Sequence, residues 1–479
     1  NTLAFTICFA CWTLNGVLVT FLVDRGIFNW SVVEVGWLLG IPILSGAIFR
    51  LPIGILTDKY GGKIIFSFLL FLCAIPLFLL PFADTFWSFA VLSFLFGLIG
   101  TSFSVGIGYT SVWYPQNWQG RALGIFGMGN AGAAITTFIA PTLLNDFSKN
   151  DPTDGWKMLP ITYGAVLVAI GVLFIIFAKN KKPQGDTKNL KALLTPLKSA
   201  RVWRFGAYYF LVFGCFVAYS QWLLPNFMNV YHTSLVMGGM FATLFSLPGG
   251  VIRAFGGYLS DKFGARKVMY WVLGSSMVIS FLLMFPKMEI FTSGPGVMAN
   301  NSGVVTSVTA SGLVLNNNDY KIKPKVDVEL TDASILPIKT SWQEIVVKEN
   351  QAVSKKELLA KGVTQIKFAA NMWVYVILVV LIGISWGIGK AAVYKHIPEY
   401  FPNEVGVVGG MVGLIGGLGG FFGPIIFSYL LNFTGLWTSS WLFIFAISTA
   451  CLIWMHKTII NALRKTTPGF TRDIEYINH

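Results

Sequence analysis

Three cations stand in the apolar stretches of this chain: Arg50, Arg253 and Lys390. "FRLPIGILTDKYGGK" (49–63) carries Arg50 eight residues before Asp58, and "IRAFGGYLSDKFGARK" (252–267) carries Arg253 eight residues before Asp261. Arginine and acid both recur after 203 residues. An arginine at the centre of a membrane helix costs ~2.5–3.5 kcal/mol on insertion scales, so a repeat that copies one points to function. Arginine keeps its proton in proteins, and its planar fork of N–H donors fits small oxyanions bidentately. Two such groups at equal height would clamp one small anion between them. The competing use, an arginine solvated at each helix end, leaves the duplication without a reason.

The elements that must position these groups follow from composition. Of 479 residues, 54% are hydrophobic and 12% charged, against about 25% charged in soluble domains, which implies a polytopic membrane protein. Apolar runs of about 20 residues, the length that crosses a hydrocarbon core, recur along the chain. Twelve are predicted, near 2–23, 35–56, 64–82, 86–112, 122–145, 159–178, 205–229, 236–258, 268–286, 371–394, 405–432 and 437–456. The sequence opens without Met and already inside the first run, so a short preceding segment is expected; no cleavable signal peptide is evident.

Charge placement sets an expected orientation. Segments after even-numbered runs hold 19 Lys/Arg and 7 Asp/Glu, whereas the short segments on the other side hold 3 and 6. The positive-inside rule then puts both termini in the cytoplasm, and membrane topology explains the net charge of +14 without nucleic acid. A long segment, 287–370, carries 10 basic and 8 acidic residues, which leaves Arg50, Arg253 and Lys390 in the membrane interior with no carboxylate. A buried charge needs a partner, so the cargo should be an anion. Cysteines 8, 11, 73, 215 and 451 show no metal spacing and read as small core residues; no mid-run histidine suggests a proton relay. No metal cluster, nucleophile motif or phosphate loop is found, so neither a cofactor nor an enzyme is expected.

The predicted fold is all-α: twelve transmembrane helices in two six-helix pseudo-symmetric bundles, with a β-rich extracytoplasmic insert. The parts are a first bundle (1–178), a basic cytoplasmic linker (179–204), helices 7–9 (205–286), the insert (287–370), helices 10–12 (371–456) and a cytoplasmic tail (457–479). In the insert, "KVDVEL" (325–330) alternates as a strand would. Parallel six-helix repeats around a midplane site describe the major facilitator architecture. "GILTDKYGGK" (54–63) and "GYLSDKFGARK" (257–267) resemble two copies of that superfamily's cytoplasmic G-x-L-x-D-[RK]-x-G-x-[RK] loop, which implies gating roles for Asp58 and Asp261.

Within the superfamily the chain resembles the nitrate/nitrite porter family, over all but the insert. "GMGNAGAA" (127–134) is similar to that family's first signature and "GLIGGLGGFFGP" (413–424) to its second. The signature glycines 127, 129, 132, 416, 417, 419 and 420 (Gly127, Gly129, Gly132, Gly416, Gly417, Gly419, Gly420) are expected to let helices approach closely. The resemblance implies substrate contacts from Arg50, Arg253, Asn130 and Tyr209, with Phe103 and Tyr394 flanking the anion. It implies nitrate and nitrite as substrates, carried by alternating access across the plasma (inner) membrane. Exchange of the two anions and nitrate–proton symport are both open, and Lys390 decides between them: it either supplies a coupling proton or snorkels to the cytoplasmic face. A porter for another small monovalent anion, such as a carboxylate, and a non-transporting nitrate sensor using the insert are the alternatives. A monomer in the bilayer is expected, since one chain holds a whole pathway.

Overall fold

The computed structural model describes residues 1–182, 195–285, 288–309, 311–325, 338–368, 371–401 and 405–466. It divides into two compact units, one made of Asn1–Met284 with Val376–His479, the other of Phe285–Tyr375.

The first unit is helical. A chain in hydrocarbon has no water to satisfy its peptide groups, and a helix satisfies them within one segment. Among the described residues, ten helices are long and apolar enough to cross a membrane: Thr2–Asp24 (span 1), Gly62–Phe82 (span 3), Phe86–Ser111 (span 4), Ala122–Lys149 (span 5), Gly155–Phe177 (span 6), Ala200–Tyr231 (span 7), Ala265–Leu283 (span 9), Met372–Tyr400 (span 10), Val407–Thr434 (span 11) and Ser439–Asn461 (span 12). Two bent pairs complete the series: Val32–Ile48 with Arg50–Tyr60 (span 2, bent by 41°) and Leu235–Val251 with Arg253–Phe263 (span 8, bent by 44°).

Spans 2 and 8 repeat each other in conformation as well as sequence. Each begins at a serine N-cap, Ser31 or Ser234, whose hydroxyl accepts from the main chain three residues on. Each bends just before its arginine. Each ends on a glycine at positive φ, Gly61 (91°) and Gly264 (83°), a conformation any side chain would strain. The motif loop's glycine is thus a helix terminator, and the 203-residue spacing runs through all three features.

Spans 1, 2 and 5 pack against spans 7, 8 and 11 toward one end of the helices. Gly36 of span 2 abuts Ser428 of span 11, Gly16 of span 1 abuts Gln221 of span 7, and Thr137 of span 5 shares a 2.8 Å hydroxyl bond with Thr243 of span 8. At the opposite end Asp58, Lys59, Asp261 and Lys262 are exposed. Glycine-mediated approach accounts for the closeness. A methyl on Gly132 would strike the main chain of span 1 at Thr6 and Ala10. Gly132→Ala should therefore cost about 1–3 kcal/mol of stability as an overpacked contact, seen as a lower melting temperature in detergent.

Among its described residues the second unit contains seven strands. β1 (Met288–Met298), β7 (Leu358–Phe368) and β5 (Ile338–Ile345) form an antiparallel sheet in the order β1-β7-β5. β4 (Asn318–Lys321), β3 (Gly312–Leu315), β2 (Gly303–Thr309) and β6 (Ala352–Val353) form the other, in that order. Val305, Leu313, Leu315, Val347, Val353 and Leu359 bury together as a core of its own. The strand expected over 325–330 lies, past Lys325, outside the described residues.

Candidate anion-binding site

The bends place the arginines. In span 2, Pro52 has no N–H to offer Ile48, and a helix interrupted so kinks. In span 8 the break follows directly on the pair Gly249–Gly250, a sequence at which helices bend readily. The main-chain ladder closes with Phe49 N–Ser45 O and Ile252 N–Pro248 O, then resumes with Ile53 N–Phe49 O and Gly256 N–Ile252 O. Arg50 and Arg253 are the first residues of the resumed segments. Both are buried, at 2% and 8% exposure.

The guanidinium groups share one aromatic ring. The Arg50 Cζ lies 5.4 Å from the centre of Phe103, and the Arg253 Cζ lies 5.6 Å from it. Arg50 also meets Trp12 and Phe213 at 5.5 and 5.4 Å, and Arg253 meets Tyr394 at 5.5 Å. Tyr209 stacks on Phe213 (4.9 Å, 7°) and meets Tyr394 edge-on at 4.9 Å. The Tyr394 hydroxyl donates to the Gly409 carbonyl at 3.0 Å, and Arg50 NH1 donates to that of Gly413 at 2.5 Å. The pocket is thus walled by π faces, against which a desolvated cation is held electrostatically.

Its free polar atoms are nearly all donors. Among the described residues, Arg50 Nε and NH2, Arg253 NH1 and both amide atoms of Asn130 are buried without a hydrogen-bond partner. Buried polar groups are normally satisfied, and the orphaned guanidinium N–H groups of two neighbouring cations need an acceptor. Asn130 is fully buried on the 3₁₀ turn Met128–Ala131, one turn beyond Gly127.

The signature glycines prove to be fitted to this site. A methyl on Gly127 would fall 3.1 Å from Arg253 Nε and one on Gly416 against the ring of Tyr209, whereas one on Gly417 would strike the Ala47 side chain at 2.7 Å and meet Arg50 NH1 at an ordinary 3.5 Å. Gly129, Gly419 and Gly420 abut Phe5, Phe210 and Ile43. Their absent side chains make room for the binding groups as well as for helix contacts.

Other expected residues fall elsewhere. Asp261 pairs with Lys395 of span 10 at 2.6 Å, with both side chains exposed, whereas Asp58 forms no ion pair among the described residues. Lys390 does not reach a membrane face: it is fully buried and donates to the Gly249 carbonyl at 3.1 Å, which overturns the snorkelling expectation. Trp12 and Phe213 were not anticipated. Phe213 stands four residues after Tyr209, on one helix face, and falls in a π-helical stretch, Phe210–Cys215, of a kind often found at functional sites. Trp12 is marked in sequence only as one aromatic among many; its indole N–H donates to the Pro42 carbonyl at 2.8 Å.

This fold and this paired-cation site define a membrane carrier. A family model described as the Major Facilitator Superfamily matches residues 2–318. A Thermus thermophilus chain named "Probable nitrate/nitrite antiporter NarK1" is 36% identical, covering 99% of this chain and 94% of its own. The "Nitrite extrusion protein" of Bacillus subtilis (strain 168) is 28% identical over 57% of this chain and 67% of its own. A solved bacterial homolog of the human lysosomal transporter Spinster, in an inward-facing and occupied conformation, has a TM-score of 0.59 at 14% identity, covering 96% of this chain and 97% of that one. The last shows the fold alone. The chain belongs to the Major Facilitator Superfamily and, within it, to the nitrate/nitrite porter family.

Proposed function

We propose that this protein carries nitrate and nitrite across the plasma (inner) membrane by alternating access at the Arg50–Arg253 site. The observation that carries this reading is the set of buried, unpartnered donors on two arginines that share the face of Phe103. Nitrate and nitrite are small, planar and monovalent, so a fork of coplanar donors and flanking rings matches them in shape and charge. The names of the Thermus and Bacillus relatives point to the same pair of anions. Tetrahedral sulfate and phosphate fit a slot between rings poorly.

The basic side of the spans is taken as cytoplasmic, with both termini there and the Phe285–Tyr375 unit outside. The halves then close on the outer side, an inward-facing state. Asp261 with Lys395 is a latch that re-forms or breaks as the inner ends meet; Asp58 would find its partner in the opposite state. Exchange is the favoured mode. Two facing cations repel in a low dielectric and oppose closure of the empty carrier, whereas a bound anion bridges them. The fully buried Lys390 keeps proton symport as the second reading, because no membrane carboxylate is available to carry a proton. One chain is taken as the working unit.

Competition tests the substrate class. In proteoliposomes loaded with nitrite, labelled nitrate uptake should be inhibited by external nitrite at concentrations where formate, acetate, sulfate and phosphate leave it unchanged. Strong inhibition by formate or acetate would transfer the site to small carboxylates. Nitrate binding without movement would favour a sensor.

A further inference from the structure

Lys390 sits within span 10, fully buried, with its Nζ 3.1 Å from the Gly249 carbonyl oxygen and 3.0 Å from the centre of the Phe216 ring. Gly249 is four residues before Arg253, so its carbonyl is the one an unbroken span 8 would offer to the Arg253 N–H. The bend takes that partner away, since the ladder closes at Ile252 and resumes only at Gly256. The lysine thus donates to a released carbonyl at the C-terminal end of Leu235–Val251, where the helix dipole also favours a cation. Phe216 completes the seat: it stacks on Phe245 and would collide with any side chain placed on Gly249.

Among the described residues, the first repeat shows no such device. Gly97 lies against the Pro42 carbonyl as Gly383 lies against that of Phe245, which is 203 residues further on. Counting from these matched contacts puts Ser104 in the place of Lys390. Arg50 is instead tied from outside its own half, by the carbonyl of Gly413. The two arginines are therefore held by different means.

We propose that Lys390 is a positioning residue: by occupying the Gly249 carbonyl it holds the break in span 8 and so fixes where Arg253 meets the anion. The inference deepens the nitrate reading and rests on it.

The test uses the full chain in nitrite-loaded proteoliposomes, with KM for nitrate and maximal exchange rate measured separately. Lys390→Met, similar in length but without a donor, should raise KM about tenfold while the maximal rate stays within about threefold of wild type. Lys390→Gln, which keeps a donor for the carbonyl, should hold KM near the wild-type value. The Met effect should be non-additive with Gly127→Ala, which crowds Arg253, and additive with Gly417→Ala, which crowds Ala47, three residues before Arg50. Melting temperatures in detergent identify a variant that fails to fold, in which case the Gln variant and its combinations with the two glycine variants decide. An unchanged KM in the Met variant, equal effects of Met and Gln, or additivity with both glycine variants would overturn the proposal. Loss of pH-driven uptake at unchanged KM would assign Lys390 to proton coupling instead. If the wild type exchanges no nitrate, the functional reading fails first and takes this inference with it.

Discussion

Replacing Arg50 or Arg253 by lysine should lower nitrate exchange at least about 100-fold while leaving the melting temperature of the purified protein close to wild type. Charge is preserved, so the membrane interior carries the same number of cations. What is lost is the fork. Arg50 spends NH1 on the Gly413 carbonyl and keeps Nε and NH2 free of protein partners. A single ammonium cannot hold that carbonyl and still present two coplanar donors. Charge-assisted hydrogen bonds contribute about 1.5–3 kcal/mol each, and every 1.4 kcal/mol is tenfold, so losing two costs about 100-fold or more. The loss should appear in KM as well as rate, because the same bonds hold the anion at rest. Retention of a tenth of wild-type exchange by either variant would show that charge alone suffices.

Phe103→Leu is the second large effect, and it separates aromatic character from bulk. Phe103 is the one ring that both guanidinium groups face, at 5.4 and 5.6 Å among the described residues. It is backed by Phe126 and Phe213 at 6.1 and 6.2 Å between ring centres. A desolvated cation over a ring is held by about 2 kcal/mol, so removing the ring loosens both arginines at once. Leucine keeps most of the volume, which limits the cavity penalty. Nitrate KM should rise about 10- to 100-fold, and the preference for planar anions over tetrahedral ones should narrow. A KM within twofold of wild type would reduce Phe103 to a packing residue.

The paired arginines were legible in sequence because a charge in an apolar run is costly and a copied one doubly so. The acid-poor interior pointed to an anion for the same reason. The bends that aim these arginines were not legible: Pro52 and Gly249–Gly250 permit a kink, but only packing decides whether a helix takes it. Trp12 stayed hidden because a tryptophan in an apolar span usually signals nothing beyond burial. Phe213 could have been found, since its spacing from Tyr209 puts both rings on one face. The glycine signatures were legible as close approach, but not as space reserved for Arg253 and Tyr209, because a missing side chain does not name its neighbour. Depth along a helix is equally invisible in one dimension, which is why Lys390 could be read at the membrane face when its ammonium turns inward to Gly249.

The most direct test of the central claim is nitrate uptake by the purified protein in liposomes, compared among nitrite-loaded, empty and inside-alkaline vesicles. Rapid uptake is predicted into nitrite-loaded vesicles and little into empty ones, with exchange lost in Arg50→Lys and Arg253→Lys. Uptake into nitrite-free vesicles driven by the pH gradient would replace exchange with proton symport. Absence of nitrate movement in every condition, or full exchange without either arginine, would contradict the account.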